Sequence, residues 1–310
     1  MTKKVIGIDI GGTSIKFALI DVWGSILKKW SIPTNINDSG NQITTEIINS
    51  IKQETSKLLY TEIIGCGVGV PGPVSIDGKC VLRAVNLGWE NLPLKAMMEN
   101  SLNIPVKLLN DANAAALGEL WKGAAKEKDS LLFITLGTGV GGGIVINDRI
   151  VNGAHSSGGE IGHIPVFSEE NRKCGCGNVN CLETFASASG LVQTYVNTHE
   201  EKISKKEITA KKIIEMIGED NQAAKYSFRI LIKHLGMAIS AVMNSIDVEE
   251  VVIGGGLSEA GITLLKPLQE EIELHIFPQI RSNLEISKAQ LGNEAGVYGA
   301  VYHFLKEEQK

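Results

Sequence analysis

Two adjacent polar residues, Asn110 and Asp111, stand where the apolar run Val106–Leu109 meets the alanine-rich stretch Ala112–Ala116. A carboxylate where a strand ends and a helix begins lies on the edge that lines active sites in α/β folds, and there it can act as a general base. The same position suits a helix N-cap, so residue type alone leaves both roles open. Further along, Glu160 and His163 emerge from the small-residue loop GGEIGH, Glu183 follows the last residue of a cysteine cluster, and Asn86 lies in VNLGW. Carboxylates, amides and an imidazole together suit a ligand with a ring of hydroxyls, each both donor and acceptor. Asn86, Asn110, Asp111, Glu160, His163 and Glu183 are therefore the candidate contacts for a sugar.

A second group of residues points to phosphate. Asp9-Ile10-Gly11-Gly12-Thr13 and Gly137-Thr138-Gly139 sit in turns between apolar, β-branched runs, where backbone N–H groups can approach phosphate oxygens and threonine hydroxyls add donors. Glycines also simply shape hairpin turns. Asp9 tips the balance, because a carboxylate beside bare phosphate is repelled unless Mg²⁺ or its water intervenes. Gly254-Gly255-Gly256, read as following a strand and preceding a helix, offers a third close approach, suited to the adenosine end of a nucleotide. Two familiar readings fail on context. Gly137–Gly142 fits GxGxxG but continues into the strand-like Gly143–Ile146, whereas the dinucleotide fingerprint must open a helix. Gly72–Cys80 has one residue too many for a Walker A loop and ends in cysteine instead of serine or threonine.

Three of the five cysteines fall in CGCGNVNC. In a reducing cytosol such clustering indicates metal more than disulfides. Cys174, Cys176 and Cys181, with His163 eleven residues upstream, make up a Cys₃His set for structural zinc. One imidazole nitrogen can face metal while the other faces the sugar, which ties this site to Glu160 and Glu183. Cys66 and Cys80 are expected to be buried or inert.

The elements that must position these groups alternate. VIGIDIGGTSIKFALID reads as strand, turn, strand, and SLLFITLGTGVGGGIVIND repeats the plan, which suggests an architectural duplication. Ile43, Ile47, Ile48, Ile51, Leu58 and Leu59 fall at helical spacing; strands follow at Ile63–Val70 and Val106–Leu109, and Phe228 to Val242 carries a long buried helical stripe. The pattern predicts an α/β protein, and 310 residues favour two lobes with a cleft between them. A net charge of -5 without a basic stripe argues against nucleic-acid or anionic-membrane partners, and the N-terminus has no apolar stretch long enough for a signal peptide or membrane span, so the chain reads as cytoplasmic.

Four of these motifs, DxGGT at Asp9–Thr13, Asn110-Asp111, ExGH at Glu160–His163 and CGCGNVNCLE, occur in the order seen in one family, and the chain resembles the ROK sugar kinases over essentially its whole length, bacterial glucokinases among them. The resemblance implies an actin/hexokinase-like fold of two duplicated RNase H-like lobes, with residues 1–120 and 298–310 in the small lobe and 121–297 in the large one. It implies an ATP-Mg²⁺ donor, a glucose acceptor phosphorylated at its 6-hydroxyl with Asp111 as base, and structural Zn²⁺ at His163, Cys174, Cys176 and Cys181. Phosphate contacts are expected at Asp9, Gly11, Gly12, Thr13, Lys16, Gly137, Thr138, Gly139, Gly255 and Gly256, and Asn86 in a sugar loop. Other hexoses, such as N-acetylmannosamine or fructose, remain open. The family also includes sugar-sensing repressors with a helix-turn-helix ahead of the kinase-like body, for which this chain, starting its first strand near residue 5, shows no room. A homodimer or homotetramer is expected. One departure is visible: Asn180 stands where the family usually has glycine before the third cysteine, and asparagine tolerates the left-handed conformation.

Overall fold

β-branched residues on alternate faces build the first sheet. The computed structural model describes residues 2–56, 62–199 and 208–308. Its strands are β1 (Lys4–Ile10), β2 (Ser14–Asp21), β3 (Ile26–Pro33), β4 (Ile63–Val70), β5 (Val81–Ala84), β6 (Trp89–Leu92), β7 (Val106–Asn110), β8 (Leu131–Leu136), β9 (Val140–Ile146), β10 (Arg149–Ile150), β11 (Glu250–Gly254) and β12 (Glu285–Lys288). The helices are α1 (Ile43–Thr55), α2 (Leu94–Leu102), α3 (Asp111–Lys122), α4 (Glu183–Ala186), α5 (Ala188–Asn197), α6 (Ala210–Gly218), α7 (Gln222–Ile246), α8 (Ile262–His275), α9 (Pro278–Arg281) and α10 (Ala295–Glu307).

The first sheet has the order β3-β2-β1-β4-β7, antiparallel across β1, β2 and β3 and parallel across β1, β4 and β7. The second has the order β10-β9-β8-β11-β12, with β9 and β10 antiparallel and β8, β11 and β12 parallel. The two orders correspond strand for strand, so the duplication expected from the two glycine-turn hairpins holds at the level of topology.

The chain divides into two compact units: residues 1–127, 143–158 and 290–310, and residues 128–142 and 159–289. In the first, Ile6, Ile8 and Ile10 point from β1 into a cluster with Ile43, Ile47, Leu94 and Met98 of α1 and α2. Val5, on the opposite face, joins Val297, Val301 and Phe304 of α10. That face is kept bare for the helix: a Cβ at Gly65 would fall 2.0 Å from the Phe304 ring, and one at Gly67 would fall 1.9 Å from the Ala300 carbonyl. Glycine at alternate positions of β4 thus brings α10 onto the backbone of the sheet. In the second unit the long α7 buries Phe228, Leu231, Leu235 and Ile239, with Val242 half-buried, and packs with α5, α6 and α8.

Most expected elements lie where the periodicity puts them. The strand expected at Val106–Leu109 runs one residue further, to Asn110. The helix expected directly after Gly254–Gly256 is first a short 3-10 turn, Gly256–Ala260, and α8 begins only at Ile262. Leu58 and Leu59 lie outside the described residues. Cys66 is fully buried and Cys80 half-buried. No helix among the described residues is long and apolar enough to cross a membrane.

Candidate active site and metal centre

In the first unit, β7 delivers Asn110 and Asp111 to the start of α3. Asn110 takes the extended torsions of an N-cap, and its Oδ1 accepts the amide hydrogens of Ala112 at 2.9 Å and Asn113 at 3.1 Å. Asp111 is the first helical residue, and its Oδ1 also faces the Ala112 amide at 2.8 Å. The capping role that the sequence left open for Asp111 is therefore filled by Asn110. Asn110 Nδ2 donates to the Gly72 carbonyl at 3.2 Å, and the Asn110 side chain also hydrogen-bonds the Asp111 carboxyl, which ties the two residues together.

Burial pushes the Asp111 carboxyl up to about 6, and the neighbouring charge of Asp9 adds to the rise. Asp9 is raised too, again by burial, with Lys16 pulling the other way from 3.7 Å. Two carboxylates that repel each other, with only Asp9 paired to a lysine, are a ready place for a divalent cation. The start of α10 closes on Asp9, since a Cβ at Gly296 would fall 2.6 Å from its Cγ. Lys16 is further held by Asn293 Oδ1 at 3.0 Å.

The glycine turns expected to meet phosphate share a steric feature. At Gly12, Gly137 and Gly256 nothing lies within 4 Å of where a Cβ would be, and none of the three has a left-handed φ. Neither packing nor a left-handed torsion requires glycine there, as is also the case at Gly175 and Gly218, so these turns have room for the close approach of a ligand. Gly11 and Gly255 differ, because a Cβ would crowd the Ser14 carbonyl at 2.9 Å and the Leu136 backbone at 2.6 Å. Thr13 and Thr138 are exposed beside these turns. Within the second unit Gly137, Thr138 and Gly256 line a cavity of about 850 Å³ whose other walls include Ala188, Ile214 and Leu257. The size and apolar walls suit a purine.

In the second unit Glu183 lies between two motifs. Cys174 Sγ donates to its Oε1 at 3.0 Å, and its Oε2 would lie 2.6 Å from a Cβ at Gly139. Ala188, at the start of α5, donates to the Gly137 carbonyl at 2.9 Å, so the helix that follows Glu183 also anchors the phosphate turn. His163 turns Nδ1 toward Cys174 Sγ at 3.6 Å and Nε2 toward Glu160 at 3.8 Å. The loop Val85–Trp89, expected to meet the sugar, leaves Asn86 exposed between the buried Ala84 and Leu87.

The ligand atoms of His163, Cys174, Cys176 and Cys181 all lie within 4.8 Å of one another, and Cys176 Sγ is 3.6 Å from Cys181 Sγ. A tetrahedron with zinc–sulfur bonds of about 2.3 Å has edges of about 3.7 Å, so the donor set fits zinc in chemistry and in spacing. Burial pushes the thiols of Cys174 and Cys181 up, while exposed Cys176 is pulled down by the Asn178 amide. Asn180 is left-handed, φ 57°, as its tolerance for that region allows, and it does what glycine could not. Its Oδ1 accepts from the Arg172 amide and its Nδ2 donates to the Ser168 carbonyl, each at 2.7 Å.

Two supports were not legible in the sequence. Arg172 is buried against the Phe185 ring, 4.1 Å from its centroid, and donates to the Thr184 carbonyl and Thr194 Oγ1, which fixes the segment carrying Glu183. Glu119, wholly buried in α3, accepts the amides of Ala124, Gln290 and Leu291.

A family model described as the ROK family matches residues 5–307. The chain belongs to the ROK family. A glucokinase of Halalkalibacterium halodurans is 40% identical over 314 residues, spanning 98% of this chain and 95% of that protein. A xylose repressor of Caldicellulosiruptor bescii is 30% identical over 308 residues, spanning 96% of this chain and 77% of that protein. Among solved structures, a ROK glucokinase from Streptomyces griseus in complex with glucose and AMPPNP matches with a TM-score of 0.77 at 32% identity, covering 96% of this chain and 97% of that one. The α/β architecture described above is the actin/hexokinase-like fold of these ROK proteins.

Proposed function

We propose that this ROK protein is an ATP-dependent glucokinase that forms glucose 6-phosphate, with Asp111 as the general base. The observation that carries the catalytic assignment is the division of labour at the start of α3: Asn110 provides the cap, and Asp111 has a carboxyl raised to about 6. A base of that strength is ionised near neutral pH yet basic enough to take a proton from a hydroxyl as it attacks phosphorus. The 40% identical glucokinase supports glucose as the acceptor.

In this reading the sugar's hydroxyls meet Asn86, Asn110, Glu160, His163 and Glu183. Asp111 accepts the proton of the 6-hydroxyl while its oxygen bonds to the γ-phosphorus and the bond to the β-bridging oxygen breaks, leaving ADP. The amides of Gly12 and Gly139 and the hydroxyls of Thr13 and Thr138 donate to phosphate oxygens, while Gly11 and Gly137, whose amides close the turns onto the Ser14 and Gly139 carbonyls, let the phosphates come close; Lys16 adds charge, and Gly255 and Gly256 admit the adenosine. Mg²⁺ near Asp9 would supply further charge neutralisation. Zn²⁺ held by His163, Cys174, Cys176 and Cys181 would be structural, orienting the imidazole and, through the shared loop, Glu160 and Glu183.

The similarity to a xylose repressor raises a second reading, a sugar sensor without catalysis, which the more similar glucokinase does not favour. A coupled ADP-release assay across a panel of hexoses separates the two. Glucose-dependent ADP release is expected; sugar binding with no release from any hexose supports the sensor.

A further inference from the structure

Thr34 continues from β3 directly onto the phosphate turn: its amide donates to the Thr13 carbonyl at 3.0 Å and its hydroxyl to the Gly11 carbonyl at 2.6 Å. Four residues later the chain makes a left-handed turn through Asp38, Ser39 and Gly40, with φ of 51°, 54° and 67°. Residues with a Cβ avoid this region, and two in succession persist only where their surroundings hold them.

The surroundings are the sugar loop. The Gly40 carbonyl accepts from Trp89 Nε1 at 3.2 Å, and a Cβ at Gly40 would lie 2.3 Å from the Leu87 carbonyl. Gly88 is left-handed at φ 74°, and a Cβ there would lie 2.9 Å from the Cα of Ser39. Leu87 and Trp89 are buried, so the loop is anchored at those two residues while Asn86 stands exposed. The backbone of the turn, closely applied to the loop, sets the direction in which Asn86 points.

We propose that Thr34–Gly40 is a positioning strap that ties the phosphate turn Gly11–Thr13 to the sugar loop Val85–Trp89, so that a nucleotide on the first tightens sugar binding at the second. The proposal rests on the reading of those two segments as phosphate and sugar contacts. A ligand that orders one end of a hydrogen-bonded segment lowers the ordering cost at the other, and the effect is reciprocal.

The test is the glucose Kd by titration calorimetry, with and without a saturating non-hydrolysable ATP analogue. The wild-type ratio is expected to be at least about fivefold, the lower range of ordinary coupling. Thr34→Val keeps the shape and deletes the hydroxyl; it should bring the ratio toward one, and Thr34→Ser should restore it. Gly40→Ala should also weaken glucose binding without nucleotide. A role confined to stability would lower the melting temperature and leave the ratio unchanged, and that result overturns the strap, as does a wild-type ratio of one. Asn86→Ala tests the underlying reading separately: an unchanged glucose Kd in that variant removes the sugar loop itself, whatever the ratio in the strap variants.

Discussion

Asn110 caps α3 through a side-chain oxygen that accepts two backbone amides, and its neighbour Asp111 is thereby free to keep a part-buried carboxyl whose pKa is raised to about 6. A cap stabilises a helix by about 1 kcal/mol, and adjacent residues compete for it. Here Asn110 alone takes the Asn113 amide and shares that of Ala112 with Asp111, and its carboxamide does not ionise at neutral pH.

This arrangement sets the pH profile. A base with a pKa of about 6 loses its function on protonation, so kcat/KM should fall below about pH 6 with a limiting slope of one and be flat from about pH 7 to 8. The stability linkage has the opposite sense. The folded pKa lies above the unfolded value, so the contribution of Asp111 to stability is greatest below about pH 4 and is lost as pH rises through 6. At pH 7.5 Asp111→Asn should therefore raise stability, by on the order of 1–3 kcal/mol, in denaturant unfolding. A destabilised variant would count against a strained, buried carboxylate.

Gly12 and Gly137 are glycines that nothing in the fold requires. Alanine at either position should leave the melting temperature within about 2 °C, since a surface change without new contacts stays within about 0.5 kcal/mol. The KM for ATP should rise by about tenfold or more, with the glucose Kd little changed. An unaltered ATP KM in both variants would return these turns to a purely structural role.

The cysteine cluster should hold one zinc per chain, measured by elemental analysis of the purified protein. Removing it with a chelator, or replacing Cys174, Cys176 and Cys181 together with alanine, should abolish measurable glucose binding, because His163 and Glu183 lose their support. A metal-free triple variant with full activity would contradict the link between the two sites.

Glu119 makes the clearest stability prediction. Its carboxylate accepts three backbone amides at 2.8, 3.0 and 2.8 Å in a site closed to solvent. Glu119→Ala strands those donors and should cost about 3 kcal/mol or more, read as a shift in denaturant midpoint at constant slope. A shift of under about 0.5 kcal/mol would mean that water replaces the carboxylate.

The sequence carried the two hairpins, the bounds of β4, the stripe of α7 and the Cys₃His quartet, because each is written in local periodicity or in spacing along the chain. The roles of Asn110 and Asp111 were harder to separate, since both residue types cap helices and only the backbone torsions choose between them. Glu119 resembles any helical carboxylate until Gln290 and Leu291, more than 170 residues away, arrive to donate to it. The strap at Thr34–Gly40 has turn-forming residue types but no signal for the left-handed run, which depends on Gly88 and Trp89 in a distant segment. Gly256 follows a strand as expected, yet the left-handed Gly255 and Gly261 bracket a 3-10 turn before the helix can start.

The central claim is that Asp111 is the base, and the most direct test is the kcat of Asp111→Asn measured beside its glucose Kd. Loss of a general base typically costs about 10²–10⁴ in rate. The account predicts a fall of that size with glucose binding within about threefold of wild type; a kcat within a few-fold of wild type would contradict it.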